Sequence, residues 1–189
     1  MATSRTSRFN FETLAAFGVF ALAAACAPES SNTTDAGQFV AVPSDFCSYP
    51  SWTSYDLGGD DGGTAGDACA HVANVPRVAF MNQAPAHGST EFPVGTIIVK
   101  QIKSGADPSQ WSVFGMVKRG GGFNPGSGCE GWEWYGLTSP DGGCPGVQWS
   151  GTEPGAGEVY ASCGPCAGCH SAAQNNDCVL APELSLSQW

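Results

Sequence analysis

Cys166-Ala167-Gly168-Cys169-His170 is the stretch whose residue types and spacing most directly imply chemistry. Two thiols separated by two residues can each add to one vinyl group of a porphyrin. The adjacent imidazole can then bind the iron, so the run reads as the attachment signature of a c-type haem. His170 is the expected iron ligand, and Cys166 and Cys169 are the expected covalent anchors. The same residues also suit a plain pair of disulfide cysteines in an exported chain. Cys163-Gly164-Pro165-Cys166 overlaps the motif as a C-G-P-C redox sequence, but too little chain follows it to build the βαβ context that this chemistry needs. Cys163, Cys166, Cys169 and His170 have tolerable spacing for zinc or an iron–sulfur cluster, against which export into an oxidising space argues.

The elements that must position this motif belong to a chain of 189 residues, enough for one ordinary domain once a leader is removed. Residues 1–26 read as a signal peptide. Arg5 and Arg8 supply the positive start, and Leu14 to Ala25 is an apolar run too short to span a bilayer as a mature helix. It ends in Leu22-Ala23-Ala24-Ala25-Cys26, small residues before a cysteine, as in a bacterial lipoprotein box. Acylation of Cys26 would then anchor the protein in the periplasm or at the outer membrane, with ordinary cleavage after a small residue as the alternative. Residues 27–43 read as a flexible tether and 44–189 as the domain.

With a formal net charge of -10 and only 7 Lys plus Arg, the chain has no electrostatic footprint for nucleic acid. It would be repelled by anionic lipid, so membrane contact is expected only through the N-terminal anchor. Nine cysteines are too many for an ordinary cytosolic protein. Setting aside Cys26 and the motif pair leaves Cys47, Cys69, Cys129, Cys144, Cys163 and Cys178, which can pair in many ways. Pairing of sequence neighbours is the simplest expectation: Cys47 with Cys69, Cys129 with Cys144, Cys163 with Cys178. Each of the last two loops would add about 3 kcal/mol in the chain-entropy model.

Gly 26 and Pro 13 imply many turns and little long helix. Strands are expected over Val75 to Asn82, Thr96 to Ile102, Trp111 to Lys118, Gly131 to Leu137 and Gly157 to Ser162. Within the fourth, Trp132 and Trp134 share one face, and Glu133 and Tyr135 the other. A short helix is expected within Asp45 to Asp61 and another from Cys169 to Asn176. Gly142 to Trp149 reads as loop, and Gly58 to Gly66 as a solvated loop rather than a calcium site. The fold class is therefore mainly β with a few short helices (α+β), an antiparallel sheet with haem c attached near the C-terminus. His71 and His87 read as solvated, and Met81 and Met116 as core rather than a sixth iron ligand, leaving an open coordination position.

Phe92-Pro93-Val94-Gly95-Thr96-Ile97-Ile98-Val99-Lys100, then Met116-Val117-Lys118, Gly131-Trp132-Glu133-Trp134, the C-x-x-C-H run and Asp177 follow one another in an order that resembles the cytochrome P-460 family, which includes the cytochromes c′-beta. The resemblance covers roughly Val75 to Leu180. It implies an exported mono-haem protein that binds nitric oxide, carbon monoxide or a related small nitrogen ligand, exchanges electrons with a partner protein, and in some members oxidises hydroxylamine. A second copy of the chain is a candidate partner. Lys100 stands where the cytochromes P-460 carry a lysine bonded to the porphyrin edge; its alternative is an ordinary strand lysine with a packed stem. Phe114 stands where hydroxylamine-oxidising relatives carry a carboxylate. A phenyl ring cannot take a proton, so it favours gas binding over oxidation, unless Phe114 is simply core. Arg77 could balance a haem propionate, though solvation is the preferred expectation. Cys178 and Cys163 depart from the family pattern and suggest a disulfide clamping the haem loop. The rival to the cytochrome reading is a disulfide-stapled surface lipoprotein acting as a non-catalytic binding or structural module.

Overall fold

A computed structural model describes residues 32–34, 37–59, 75–139, 143–154 and 165–189. The leader with Cys26, the cysteines Cys69 and Cys163, His71, the strand expected at 157–162 and most of the Gly58 to Gly66 loop lie outside the described residues. The protein is mainly β. Its centre is a six-stranded antiparallel sheet in which every strand pairs with its neighbour in sequence: β3 (Thr53–Gly58), β4 (Arg77–Met81), β5 (Ile97–Ile102), β6 (Ser112–Lys118), β7 (Trp132–Leu137) and β8 (Val147–Gly151). A separate ribbon pairs β1 (Asn32–Thr34) with β2 (Gln38–Val40).

The middle strands are buried on both sides, which is why Ile97–Ile102 shows no alternation: Ile97, Ile98, Val99 and Ile102 are all buried, and Gln101 with them. One face of the sheet packs Ile97, Val99, Val113, Val117, Tyr135 and Leu137 against Phe46 and Tyr49 from the N-terminal segment. The other face packs Met81, Ile98, Met116, Trp132 and Trp134 against Ala167, Cys178, Val179, Leu184 and Leu186 from the C-terminal segment. Met81 and Met116 are thus core residues, as expected. The alternation in β7 also holds: Trp132 and Trp134 face the C-terminal segment, and Tyr135 faces the N-terminal one.

The N-terminal layer begins earlier than the expected domain boundary. Phe39, within the segment read as tether, packs on the core, and its N–H donates to Arg119 O at 2.9 Å. Two short 3-10 turns (Pro43–Phe46 and Tyr49–Ser51) replace the short helix expected in this region. β3 and β8 were not expected as strands. They are the two edges, alternating between half-buried and exposed positions, and Asp, Ser and Gly dilute their β-branched content.

Neighbour pairing of the cysteines is overturned. Among the described residues the disulfides are Cys47–Cys144 and Cys129–Cys178, with Cα–Cα distances of 4.3 and 5.6 Å. The reason is the layering. Cys47 leaves the N-terminal turns and meets the loop between β7 and β8, while Cys129, ahead of β7, meets the C-terminal segment. Each bridge ties a covering layer to the sheet, closing a far longer loop than a neighbour pair would.

Candidate functional site

The antiparallel register lines residues up across the sheet. One row, strand by strand from β3, is Tyr55, Ala79, Lys100, Phe114, Gly136 and Trp149. The adjacent row on the same face is Thr53, Met81, Ile98, Met116, Trp134 and Gly151. Lys100 and Phe114 are therefore direct cross-strand partners on the face covered by the C-terminal segment. Gly136 is required in this row, because the indole of Trp149 occupies the space where any β-carbon would stand.

The C-x-x-C-H run is a single turn of helix, α1 (Cys166–His170). Pro165 precedes it in extended backbone, and the Cys166 N–H donates to Thr152 O at 3.0 Å, fixing the turn to the end of β8. A 3-10 segment continues through Ser171–Asn176, so the expected Cys169 to Asn176 helix is a short α turn starting earlier and then tightening. The chain reverses at Asp177 and Cys178, both left-handed, with φ of 48° and 64°. Two consecutive non-glycine residues in this region carry backbone strain that surrounding contacts must offset. The offsetting contacts are hydrogen bonds from Asp177 N to Gln174 O and Cys178 N to Ala173 O, the Cys129–Cys178 bridge, and an ion pair from Asp177 to Lys118.

The reversal brings the Cys178 carbonyl within 2.8 Å of His170 Nδ1. A carbonyl only accepts, so Nδ1 carries the proton and Nε2 keeps its lone pair, the form in which imidazole binds a metal. Trp134 lies edge-on to the ring, with centroids 5.8 Å apart. Burial drives the His170 pKa down to about 4, outweighing the Cys178 carbonyl, which favours the protonated ring; the Lys100 charge lowers it further. The ring is neutral at pH 7.

A stability effect follows. Unfolded His170 titrates near 6.5, so between that value and about 4 the unfolded chain holds the extra proton and each step down in pH favours it. The contribution is complete above about pH 6.5 and is lost as the pH falls toward 4. In the ligand-free protein, melting temperature should therefore fall more steeply over that window than in His170→Gln, with the two curves parallel above pH 7.

Cys166 is half-buried and Cys169 exposed, and neither is in a disulfide. Burial pushes the Cys166 thiol up to about 12, opposed in small part by Lys100. Lys100 thus lies within electrostatic reach of both Cys166 and His170. The sequence-derived site residues Lys100, Phe114, Cys166, Cys169 and His170 share one side of the sheet. Sequence reasoning missed Trp134 beside His170 and the Cys178 carbonyl. The alternation of Trp132 with Trp134 signalled the first, and nothing in the residue types signalled the second.

Two further expectations are settled. Arg77 is not solvated: it is 0% exposed, and its Nη1 donates to Gly59 O at 3.0 Å beside the bulge in β3. His87 is exposed, as expected. Among the described residues, no group of three or more His, Cys, Asp or Glu is arranged to hold a metal ion, and a zinc or iron–sulfur site would need Cys163, outside them.

The donor set fits a c-type haem: two unbridged thiols and an imidazole with a free Nε2 on one helical turn. The same face buries the indole N–H groups of Trp132, Trp134 and Trp149 without hydrogen-bond partners among the described residues, donors that a carboxylate-bearing group could satisfy. No helix among the described residues is long and apolar enough to cross a membrane. No protein-family model matches the chain, and no curated protein or solved structure matches it.

Proposed function

We propose that this chain is an exported mono-haem c-type cytochrome, similar to the cytochromes P-460, that binds nitric oxide or a related small nitrogen ligand with associated electron transfer. The observation that carries the reading is the state of α1. Among the described residues, Cys47, Cys129, Cys144 and Cys178 are bridged, while Cys166 and Cys169 keep their thiols beside an imidazole whose Nδ1 is already committed to Cys178 O. The disulfides support an oxidising compartment, and the reading includes a lipid anchor at Cys26.

Cys166 and Cys169 would hold the porphyrin, and His170 would offer Nε2 to the iron. Haem c, when bound, supplies an iron that takes small ligands and exchanges single electrons. Within that reading, His170 is kept neutral and oriented by Cys178 O. Phe114 lines the ligand side, excludes water and accepts no proton, which supports gas binding over hydroxylamine oxidation. Lys100, its cross-strand partner, is the residue that would bond to the porphyrin edge.

The test is a reduced pyridine spectrum of protein made in a host with haem-maturation machinery. A c-type band is the expected result, and a band displaced from that of two ordinary thioether links would add the Lys100 cross-link. Colourless protein would overturn the reading in favour of a disulfide-stapled surface module without catalysis.

A further inference from the structure

We infer that the Cys129–Cys178 disulfide is a positioning element for His170: it fixes the backbone carbonyl that sets the histidine's tautomer and holds Nε2 available. The inference rests on the proposed role of His170 as iron ligand. Cys178 belongs to three arrangements at once. Its carbonyl is 2.8 Å from His170 Nδ1, its backbone is left-handed at φ 64°, and its sulfur is bonded to Cys129 ahead of β7. A cysteine gains little by itself in that backbone region, so without a tether the residue can relax toward ordinary dihedrals. Rotation of that peptide swings the carbonyl away from the ring.

Cys129 and Cys178 are 1% and 2% exposed, on the sheet face where Trp134 meets His170. The bridge therefore joins the loop carrying the carbonyl to the element supporting the ring's other side. Once the carbonyl leaves, a neutral imidazole can shift its proton to Nε2, the atom that must stay bare to bind a metal. The Cys47–Cys144 bridge reaches neither the ring nor the reversal. It closes a longer loop, with a sequence separation of 97 against 49, so its removal costs at least comparable stability in the chain-entropy model. It is the control for general loosening.

The experiment is 15N NMR of histidine-labelled full chain without haem, at neutral pH. The protein has three histidines, so the His170 signals are assigned by their loss in His170→Gln. The parent and Cys47→Ala/Cys144→Ala should show a fixed Nδ1–H tautomer with an unprotonated Nε2. Cys129→Ala/Cys178→Ala should show both nitrogens moved toward the average of two exchanging tautomers. Should that variant not fold, Cys129→Ala alone, which removes only the tether, is read in the same way. An unchanged Nδ1–H tautomer after loss of the bridge overturns the inference, as does a parent ring protonated on Nε2. Because this readout needs no haem, the two readings fail separately. Colourless protein with a bridge-dependent tautomer removes the cytochrome and keeps the positioning role; haem-loaded protein with a bridge-independent tautomer does the reverse.

Discussion

Replacing Asp177 with asparagine should lower the unfolding free energy by about 3–5 kcal/mol, the usual consequence of deleting one partner of a buried ion pair. Lys118 and Asp177 side chains are only 7% and 10% exposed, and Lys118 Nζ lies 2.6 and 2.8 Å from the two carboxylate oxygens. The ammonium's other contacts are weak: Glu130 O at 3.4 Å and the face of Trp132 at 5.2 Å. Asparagine keeps an oxygen for Phe92 N, which Asp177 Oδ2 accepts at 2.9 Å, and it tolerates the left-handed backbone. The variant therefore isolates the charge. A melting temperature lower by roughly 10 °C is expected. Urea unfolding checks the free energy, and a loss under about 1 kcal/mol would show that the lysine finds water or another partner. Adding Lys118→Met should recover much of the loss, because the two sites share one interaction.

That pair also shows what the sequence could and could not convey. Asp177 and Lys118 stand 59 positions apart, and no local pattern announces their contact. The central strands were legible because strands buried on both faces are rich in β-branched residues, as Ile97, Ile98, Val99 and Ile102 make β5. The edge strands were not, because Thr53–Gly58 and Val147–Gly151 bury one side only and their composition resembles loop. Register then does what sequence reading cannot. It sets Lys100 opposite Phe114 and stations Trp134 one row away, next to the histidine that five consecutive residues had already marked. Cysteine connectivity was illegible for a related reason. The covering layers come from opposite ends of the chain, so nearness along it says little about which sulfurs meet.

On the proposed cytochrome reading, the double substitution Cys166→Ser/Cys169→Ser should abolish covalent haem attachment while leaving the fold intact. Neither sulfur takes part in a disulfide. Cys169 is exposed, so serine there should change stability by no more than about 0.5 kcal/mol. Cys166 packs partly against the apolar face, and a hydroxyl in its place costs on the order of 1 kcal/mol. By contrast, loss of the Cys129–Cys178 bridge, spanning 49 positions, should cost about 4 kcal/mol in the chain-entropy model. On the proposed reading, haem attachment and stability rest on different cysteines. Circular dichroism of the double variant should match the parent, with a melting temperature lower by only about 5 °C, whereas acid–acetone should extract any haem it retains and extract none from the parent. Haem that resisted extraction from the double variant would place the attachment on other residues. A double variant that unfolded would mean that α1 is a structural staple and would count against the proposed attachment role, which does not need the thiols for folding.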